Sequence, residues 1–294
     1  MAKTNIEKIE IELDNKEKAL AQAPVIVSAS RSTDIPAFYC DWFFHRLKVG
    51  YSAWTNPFNG VKMYVSYAKT RFIVFWSKNP RPLLNHIDEL KARGIGCYIQ
   101  YSLNDYEEEK LERGVPPLAE RIETFKKLVD VLGKGSVIWR FDPLVLTEDI
   151  TIEKLLNKIE NIGDQLKGYT EKLVFSFVDI LSYNKVKNNL KANGISFVDW
   201  TEEQMAEFAS RLVALNKEKG WNYKLATCGE RGRYPGVEPN HCIDDELIIK
   251  KSFHDKELMN YLKAEIKPMP PRDMFTNTIT LPEGAIILDS NHYA

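Results

Sequence analysis

The chain reads as an α/β protein, a (β/α) barrel of the TIM type or a partial barrel, with seven to eight mainly parallel strands in a single domain. Three observations predict this. Short apolar runs of strand length alternate with stretches of helical length, the pattern of successive right-handed βαβ units. Run after run ends in a polar cluster just before the next helix, as expected when the carboxyl ends of the strands share one rim. At 294 residues, 44% hydrophobic and 11% aromatic, the chain can bury a large core. A barrel of about 250 residues commonly forms one domain.

Residues 1–23 are charged and read as a loosely packed leader, a strand-turn with a helical piece, ahead of a barrel domain over 24–294. The first strand is 24–30, running into Arg31-Ser32-Thr33-Asp34, and Pro36 suits a helix start because a first turn does not need its missing N–H. A helix over 37–48 follows. The next strand, 51–55, ends in Asn56-Pro57-Phe58-Asn59-Gly60, and 63–67 reads as an added hairpin strand outside the main alternation. Strand 71–76 ends in Ser77-Lys78-Asn79-Pro80, and the helix 82–93 is closed by Gly94. Strand 97–101 leads to Ser102-Leu103-Asn104-Asp105. The acidic residues from Asp105 to Glu109 read as a solvated loop before a helix over 118–132.

Val137–Leu144 is the clearest unit, an apolar strand that delivers Arg140 and Asp142 just before a proline. A helix over 152–166 and a strand over 173–178, ending at Asp179, come next. Helical stretches over 182–192 and 201–219 follow, and Thr201 with Gln204 three residues on makes a capping box. Strand 223–227 ends at Cys228-Gly229-Glu230. The loop 231–240 is irregular, 244–263 is helical, and 285–289 is a short final strand.

Charge and composition exclude several classes. Forty basic and 41 acidic residues give a net charge of -1, so nothing global marks a nucleic-acid or membrane partner, although a local basic rim for nucleic acid stays open. The N-terminus lacks the apolar core of a signal peptide, and no apolar run approaches the ~20 residues of a membrane span. Four cysteines in a chain of this length make no disulfide framework. Together these point to a cytoplasmic protein. No Gly-x-Ser-x-Gly elbow, His-Glu-x-x-His helix or phosphate-cradling glycine turn is present.

The functional candidates lie just past the strands. Asp142, Arg140, Lys78, Glu230 and Asp179 are the catalytic candidates, and Arg31, Asp34, Asn56, Asn59, Asn79, Asn104 and Trp76 the ligand-binding ones. Cations, carboxylates and amides together suit a polar ligand with anionic groups, because an Arg fork binds carboxylate or phosphate while amides fix orientation. The alternative is that several of them pair with each other, Arg140 with a nearby carboxylate for example. Cys228 and Cys242, with His241, form a second group whose soft ligands suit zinc or an iron–sulfur cluster. Their spacing matches no tight zinc pattern. Cys40 and Cys97 read as core.

Several of these motifs occur together in one family. Arg31-Ser32-Thr33-Asp34-Ile35-Pro36, Asn56-Pro57-Phe58-Asn59, Phe75-Trp76-Ser77-Lys78-Asn79-Pro80, Trp139-Arg140-Phe141-Asp142-Pro143-Leu144 and Cys228-Gly229-Glu230 with His241-Cys242-Ile243-Asp244 resemble a bacterial and archaeal family known as domain of unknown function 1848. The resemblance covers roughly residues 24 to 294. Its members typically continue into a C-terminal cysteine cluster similar to that of radical S-adenosylmethionine enzymes. The resemblance therefore implies a radical-type barrel whose [4Fe–4S] cluster cleaves S-adenosylmethionine, acting on an unspecified substrate. This sequence ends Asp289-Ser290-Asn291-His292-Tyr293-Ala294 and holds no three-cysteine motif. Either the cluster lies in a tail beyond Ala294, or this member lacks one. Two other functions stay open: a metal-independent hydrolase or lyase using Asp142, Asp179 or Glu230 as acid or base, and a non-catalytic barrel binding phosphate or nucleic acid through Lys78, Arg140, Arg231 and Arg233.

Overall fold

The computed structural model describes residues 6–263 apart from 31–32, 56–58, 179, 181–186, 189, 191, 193 and 229–232. In chain order the elements are β1 (Lys8–Glu12), β2 (Lys18–Gln22), β3 (Ile26–Ala29), α1 (Ile35–Phe38), α2 (Cys40–Val49), β4 (Tyr51–Thr55), β5 (Lys62–Ser66), β6 (Phe72–Ser77), a 3-10 turn (Arg81–Asn85), α3 (Ile87–Ala92), β7 (Gly96–Ser102), α4 (Leu118–Leu132), β8 (Val137–Leu144), β9 (Leu146–Thr147), α5 (Ile152–Leu166), β10 (Lys172–Phe177), β11 (Phe197–Val198), α6 (Glu202–Glu218), β12 (Lys224–Thr227), β13 (Glu238–Pro239), α7 (Asp245–Ser252) and α8 (Lys256–Leu262).

Among the described residues the main sheet has 7 strands in the order β3-β6-β7-β8-β10-β12-β13, every neighbouring pair parallel. The α/β class and the parallel alternation are as the sequence predicts. Closure is not seen: β3 and β13 are the two edges of the sheet and do not pair with each other among the described residues. The β13 edge contributes only two residues.

Residues 51–55 are not a rung of this sheet. β4 pairs antiparallel with β5 in a separate 4-stranded sheet of order β1-β2-β5-β4. The main-sheet strand β6 is buried almost throughout, whereas β4 is buried only at Tyr51 and leaves Trp54 48% exposed. A strand in the middle of a parallel sheet is covered on both faces; β4 has the one-sided pattern of an antiparallel ribbon. The charged leader is also more ordered than expected. Its β1 and β2 form a hairpin with Ile9 and Ile11 on one face, and Lys18 pairs with Glu10 at 2.7 Å on the other.

Local signals otherwise place the helix ends. Asp34 caps α1 by accepting from the Ala37 amide at 3.0 Å, with Pro36 in the first turn. Thr201 and Gln204 form the reciprocal capping box on α6. The stretches 82–93 and 244–263 are each broken in two; Asp255 starts α8 by accepting from the Leu258 amide at 3.1 Å. Parts of the expected 182–192 helix, and all of the 285–289 strand, lie outside the described residues.

The main sheet has two different faces, set by the two-residue repeat of its strands. On the back face Phe75, Tyr101, Trp139, Phe141 and Phe175 join a large core with α2, α4, α5 and α6. On the front face Phe72, Val74, Tyr98, Ile138, Val174 and Ala226 form a second core with Ile248 of α7 and Leu258 and Met259 of α8. The two last helices thus cover the amino-terminal half of the front face. Gly96 permits their close approach: a Cβ there would stand 2.7 Å from both the Phe72 ring and Ser252 Oγ of α7. Gly96→Ala is expected to lower stability by about 1–3 kcal/mol through overpacking, read as a lower urea midpoint.

Candidate functional site

Followed toward their carboxyl ends, the front-face positions turn from apolar to polar. On β6 they run Phe72, Val74, Trp76; on β7, Gly96, Tyr98, Gln100; on β8, Ile138, Arg140, Asp142; on β10, Val174, Ser176; on β12, Ala226, then Cys228. This half of the face lies beyond α7 and α8, and its polar side chains bond to each other across the strands.

Arg140 is the hub. Only 3% exposed, it donates Nη1 to Gln100 Oε1 at 3.2 Å, Nε to Asp142 Oδ2 at 3.1 Å and Nη2 to Cys228 Sγ at 3.2 Å, with Nη2 also bonding Asp142. Its guanidinium carbon lies 4.9 Å from the centre of the Trp76 ring. Burial works against the arginine charge, yet the Asp142 carboxylate and the Cys228 sulfur outweigh it and hold the group above its ordinary pKa. Asp142 also accepts from Ser176 Oγ, and its side chain is 24% exposed. Asn240 Nδ2 donates a second bond to Cys228 Sγ at 3.2 Å.

The network continues to the other side of β8. Asn104, fully enclosed, accepts from the Asp142 amide at 2.8 Å and donates to the Asp142 carbonyl at 3.1 Å, so it fixes the backbone that carries the carboxylate. It also donates to Glu112 Oε1 at 2.9 Å, and the same carboxylate takes Lys78 Nζ. Beneath it, Arg121 is 1% exposed with Glu112 at 3.8 Å and Glu107 at 3.6 Å. Tyr106 clamps the turn after Asp142, donating to the Pro143 carbonyl at 2.8 Å and accepting from the Val145 amide at 3.0 Å. A belt therefore runs Lys78–Glu112–Asn104–Asp142–Arg140–Cys228–Asn240 across the carboxyl edge. Lys78 (43% exposed side chain) and Asp142 reach solvent from it, Cys228 and Asn240 are half-buried, and so is Trp76 beside it.

A family model for a domain of unknown function (DUF1848) matches residues 26–270. The chain belongs to the DUF1848 family. No curated protein and no solved structure matches it.

In this DUF1848 chain the candidates separate into groups. Arg140, Asp142, Lys78, Asn104, Trp76 and Cys228 are brought together in the belt or against it. Asp34 sits at its margin, accepting from the Lys78 amide at 2.7 Å while it caps α1. The Asn79 amide donates to Ser77 Oγ at 2.9 Å, and the exposed Asn59 accepts from the Val61 amide at 3.0 Å; both stabilise local turns. Arg31, Asn56, Asp179, Glu230 and Arg231 lie outside the described residues. Trp76 carries the Arg140 guanidinium on its ring and donates Nε1 to Ser28 Oγ at 3.1 Å. Arg140 and Asn104 are enclosed, so what they orient is Asp142 itself, and Arg140 is not placed to meet a surface phosphate.

Gln100, Ser176, Glu112 and Asn240 belong to the site without having been singled out. The first two were findable: each is polar at a front-face position of an otherwise apolar strand, two residues after Tyr98 and Val174. Glu112 comes from a loop that reads as solvated, and nothing local marks its burial. The same loop buries Glu109 between Lys154 Nζ at 2.8 Å and Lys158 Nζ at 3.3 Å, which departs from the solvated reading of 105–109.

The thiols do not make up a cluster site on their own. Cys40 and Cys97 are each pushed up to about 12, mainly by burial, and so are protonated at neutral pH. Cys228 is engaged by Arg140 and Asn240, while Cys242 is exposed and His241 is within 3.5 Å of Asp245. Among the described residues no three His, Cys, Asp or Glu side chains come together to hold a metal. A [4Fe–4S] cluster takes about four ligands, so the described residues do not fit one. No helix among them is long and apolar enough to cross a membrane.

Proposed function

We propose that this protein is an enzyme that binds a polar ligand across the carboxyl edge of the front face, in a partial barrel of the radical S-adenosylmethionine type. The observation that carries the ligand site is the buried Arg140, which ties a partly exposed carboxylate to a half-buried thiol at the polar end of an otherwise apolar face. A charged network enclosed this far is costly unless its members satisfy one another. Here Arg140, Asp142, Cys228 and Ser176 satisfy one another, while Gln100 Nε2, Glu112 Oε2 and Asn240 Oδ1 are buried without a hydrogen-bond partner, and Asp142 and Trp76 are left partly exposed with the Lys78 ammonium to one side. The outward set suits a ligand with a hydrogen-bond donor for Asp142, a flat group for Trp76 and a carboxylate or phosphate for Lys78.

The cofactor class rests on the family resemblance. All four cysteines of the sequence, Cys40, Cys97, Cys228 and Cys242, are among the described residues and do not gather into a cluster site, so no step of chemistry is routed through a cluster. The test is the iron and sulfide content of protein purified without oxygen from the complete coding region, with its absorbance spectrum. Roughly four irons per chain with absorbance near ~400 nm, as thiolate-bound clusters show, supports the radical class. Iron-free protein that turns over in air contradicts it, and favours acid–base hydrolysis or elimination at Asp142. The Ser176 hydroxyl beside that carboxylate is the feature favouring this second function.

A further inference from the structure

At the Lys78 end of the belt the ammonium is already filled, by a carboxylate of the chain itself. Glu112, on the loop between β7 and α4, presents Oε1 to Lys78 Nζ and to Asn104 Nδ2, the latter at 2.9 Å. Its other oxygen, Oε2, is buried and has no hydrogen-bond partner. The nearest cation to that oxygen is Arg121, whose Nη1 stands 3.8 Å away, too far for a hydrogen bond. Arg121 is in the same position: its side chain is 1% exposed, and Nε, Nη1 and Nη2 are all buried without a bond. Glu107, the other carboxylate beside it, is 3.6 Å off and already accepts from the Leu118 amide.

Charged groups withdrawn from water and left unbonded are costly, and the cost falls when they bond each other. Oε2 and Nη1 would do so after a shift of about 1 Å, since charge-assisted hydrogen bonds are about 2.8 Å long. The same shift draws Oε1 away from Lys78. Asn104 Nδ2 would still hold the Asp142 carbonyl at 3.1 Å. Glu112 therefore has two alternative cations, and Lys78 is filled with only one of them. The Lys78 side chain is 43% exposed and open to a ligand, whereas Arg121 is enclosed. A ligand that binds Lys78 favours the arrangement in which Glu112 has left it.

We propose that Lys78 is the cation of a carboxylate subsite, that Glu112 fills this subsite while no ligand is bound, and that a ligand carboxylate displaces Glu112 onto Arg121. The subsite belongs to the ligand site proposed for the belt and rests on that proposal. It narrows the ligand's anionic group to a carboxylate, because a carboxylate is the group that Lys78 now holds.

Isothermal titration with benzoate, and with benzyl alcohol as its uncharged counterpart, tests this. Benzoate should bind the wild type and benzyl alcohol should not, and Lys78→Met should abolish benzoate binding. Glu112→Gln, which removes the competing charge, should bind benzoate at least tenfold tighter. Arg121→Gln should weaken benzoate at least fivefold in the wild-type background, because Glu112 then has no second cation. In the Glu112→Gln background the same substitution should change the affinity less than twofold. A simple loss of positive charge near Lys78 would instead weaken benzoate equally in both backgrounds. If Arg121→Gln does not keep its circular dichroism spectrum, Glu112→Gln alone decides. The displacement is overturned if Glu112→Gln does not tighten binding, or if Arg121→Gln acts equally in both backgrounds; with benzoate still dependent on Lys78, the belt site itself stands. Benzoate that binds no variant, or binds regardless of Lys78→Met, overturns the displacement and the anion site at Lys78 together.

Discussion

Arg140→Ala should destabilise the protein by about 3–5 kcal/mol, the range found when one member of a buried ion pair is removed. The substitution leaves Gln100 without its donor, Cys228 with Asn240 alone and Asp142 with Ser176 but no cation. Trp76 loses the guanidinium on its ring at the same time. The loss appears as a lower urea midpoint with little change in slope. Arg140→Lys separates charge from geometry: an ammonium can replace one contact of the fork but not bond the carboxylate, the amide and the sulfur together. It should recover only part of the stability, and ligand binding should stay impaired because Asp142 is no longer held. Full recovery by lysine would show that charge alone matters at this position.

Leu258→Ala is the second large effect, with an expected loss of about 2–5 kcal/mol. Leu258 is fully buried on α8 and belongs to the front-face core with Phe72, Tyr98 and Met259. The polar site lies at the opposite end of the same face. Destabilisation with ligand affinity preserved in the folded fraction is therefore the expected pattern. A stability within 1 kcal/mol of wild type, well below that range, would mean that α7 and α8 do not seal the face.

How much of this was legible in the sequence depends on the element. The parallel rungs around Val137–Leu144 were clear because strands buried on both faces are short, apolar and followed by helices. Tyr51-Ser52-Ala53-Trp54-Thr55 reads as a rung of the main alternation because it has strand composition, and composition does not say which sheet a strand joins; the exposed Trp54 and the pairing of β4 with β5 do. Nor was it legible that the β3 and β13 edges do not pair with each other among the described residues, since edge pairing is not written in strand composition. Arg140 and Asp142 were visible as the polar end of a strand. Their enclosure was not, because it depends on Gln100, Cys228 and Ser176 arriving from three other strands. Glu112 was hidden for the same reason: a loop carboxylate becomes a site residue only when Lys78, Asn104 and Arg121 converge on it.

The central claim is that the carboxyl edge of the front face is the ligand site and that Asp142 and Trp76 are its outward-facing members. The most direct measurement is a titration of S-adenosylmethionine into protein prepared without oxygen from the complete coding region, comparing wild type with Asp142→Asn and Trp76→Ala. Saturable binding by the wild type, weakened tenfold or more by each substitution in protein that keeps its circular dichroism spectrum, is the predicted result. No binding by the wild type, or an affinity that neither substitution alters, would contradict it.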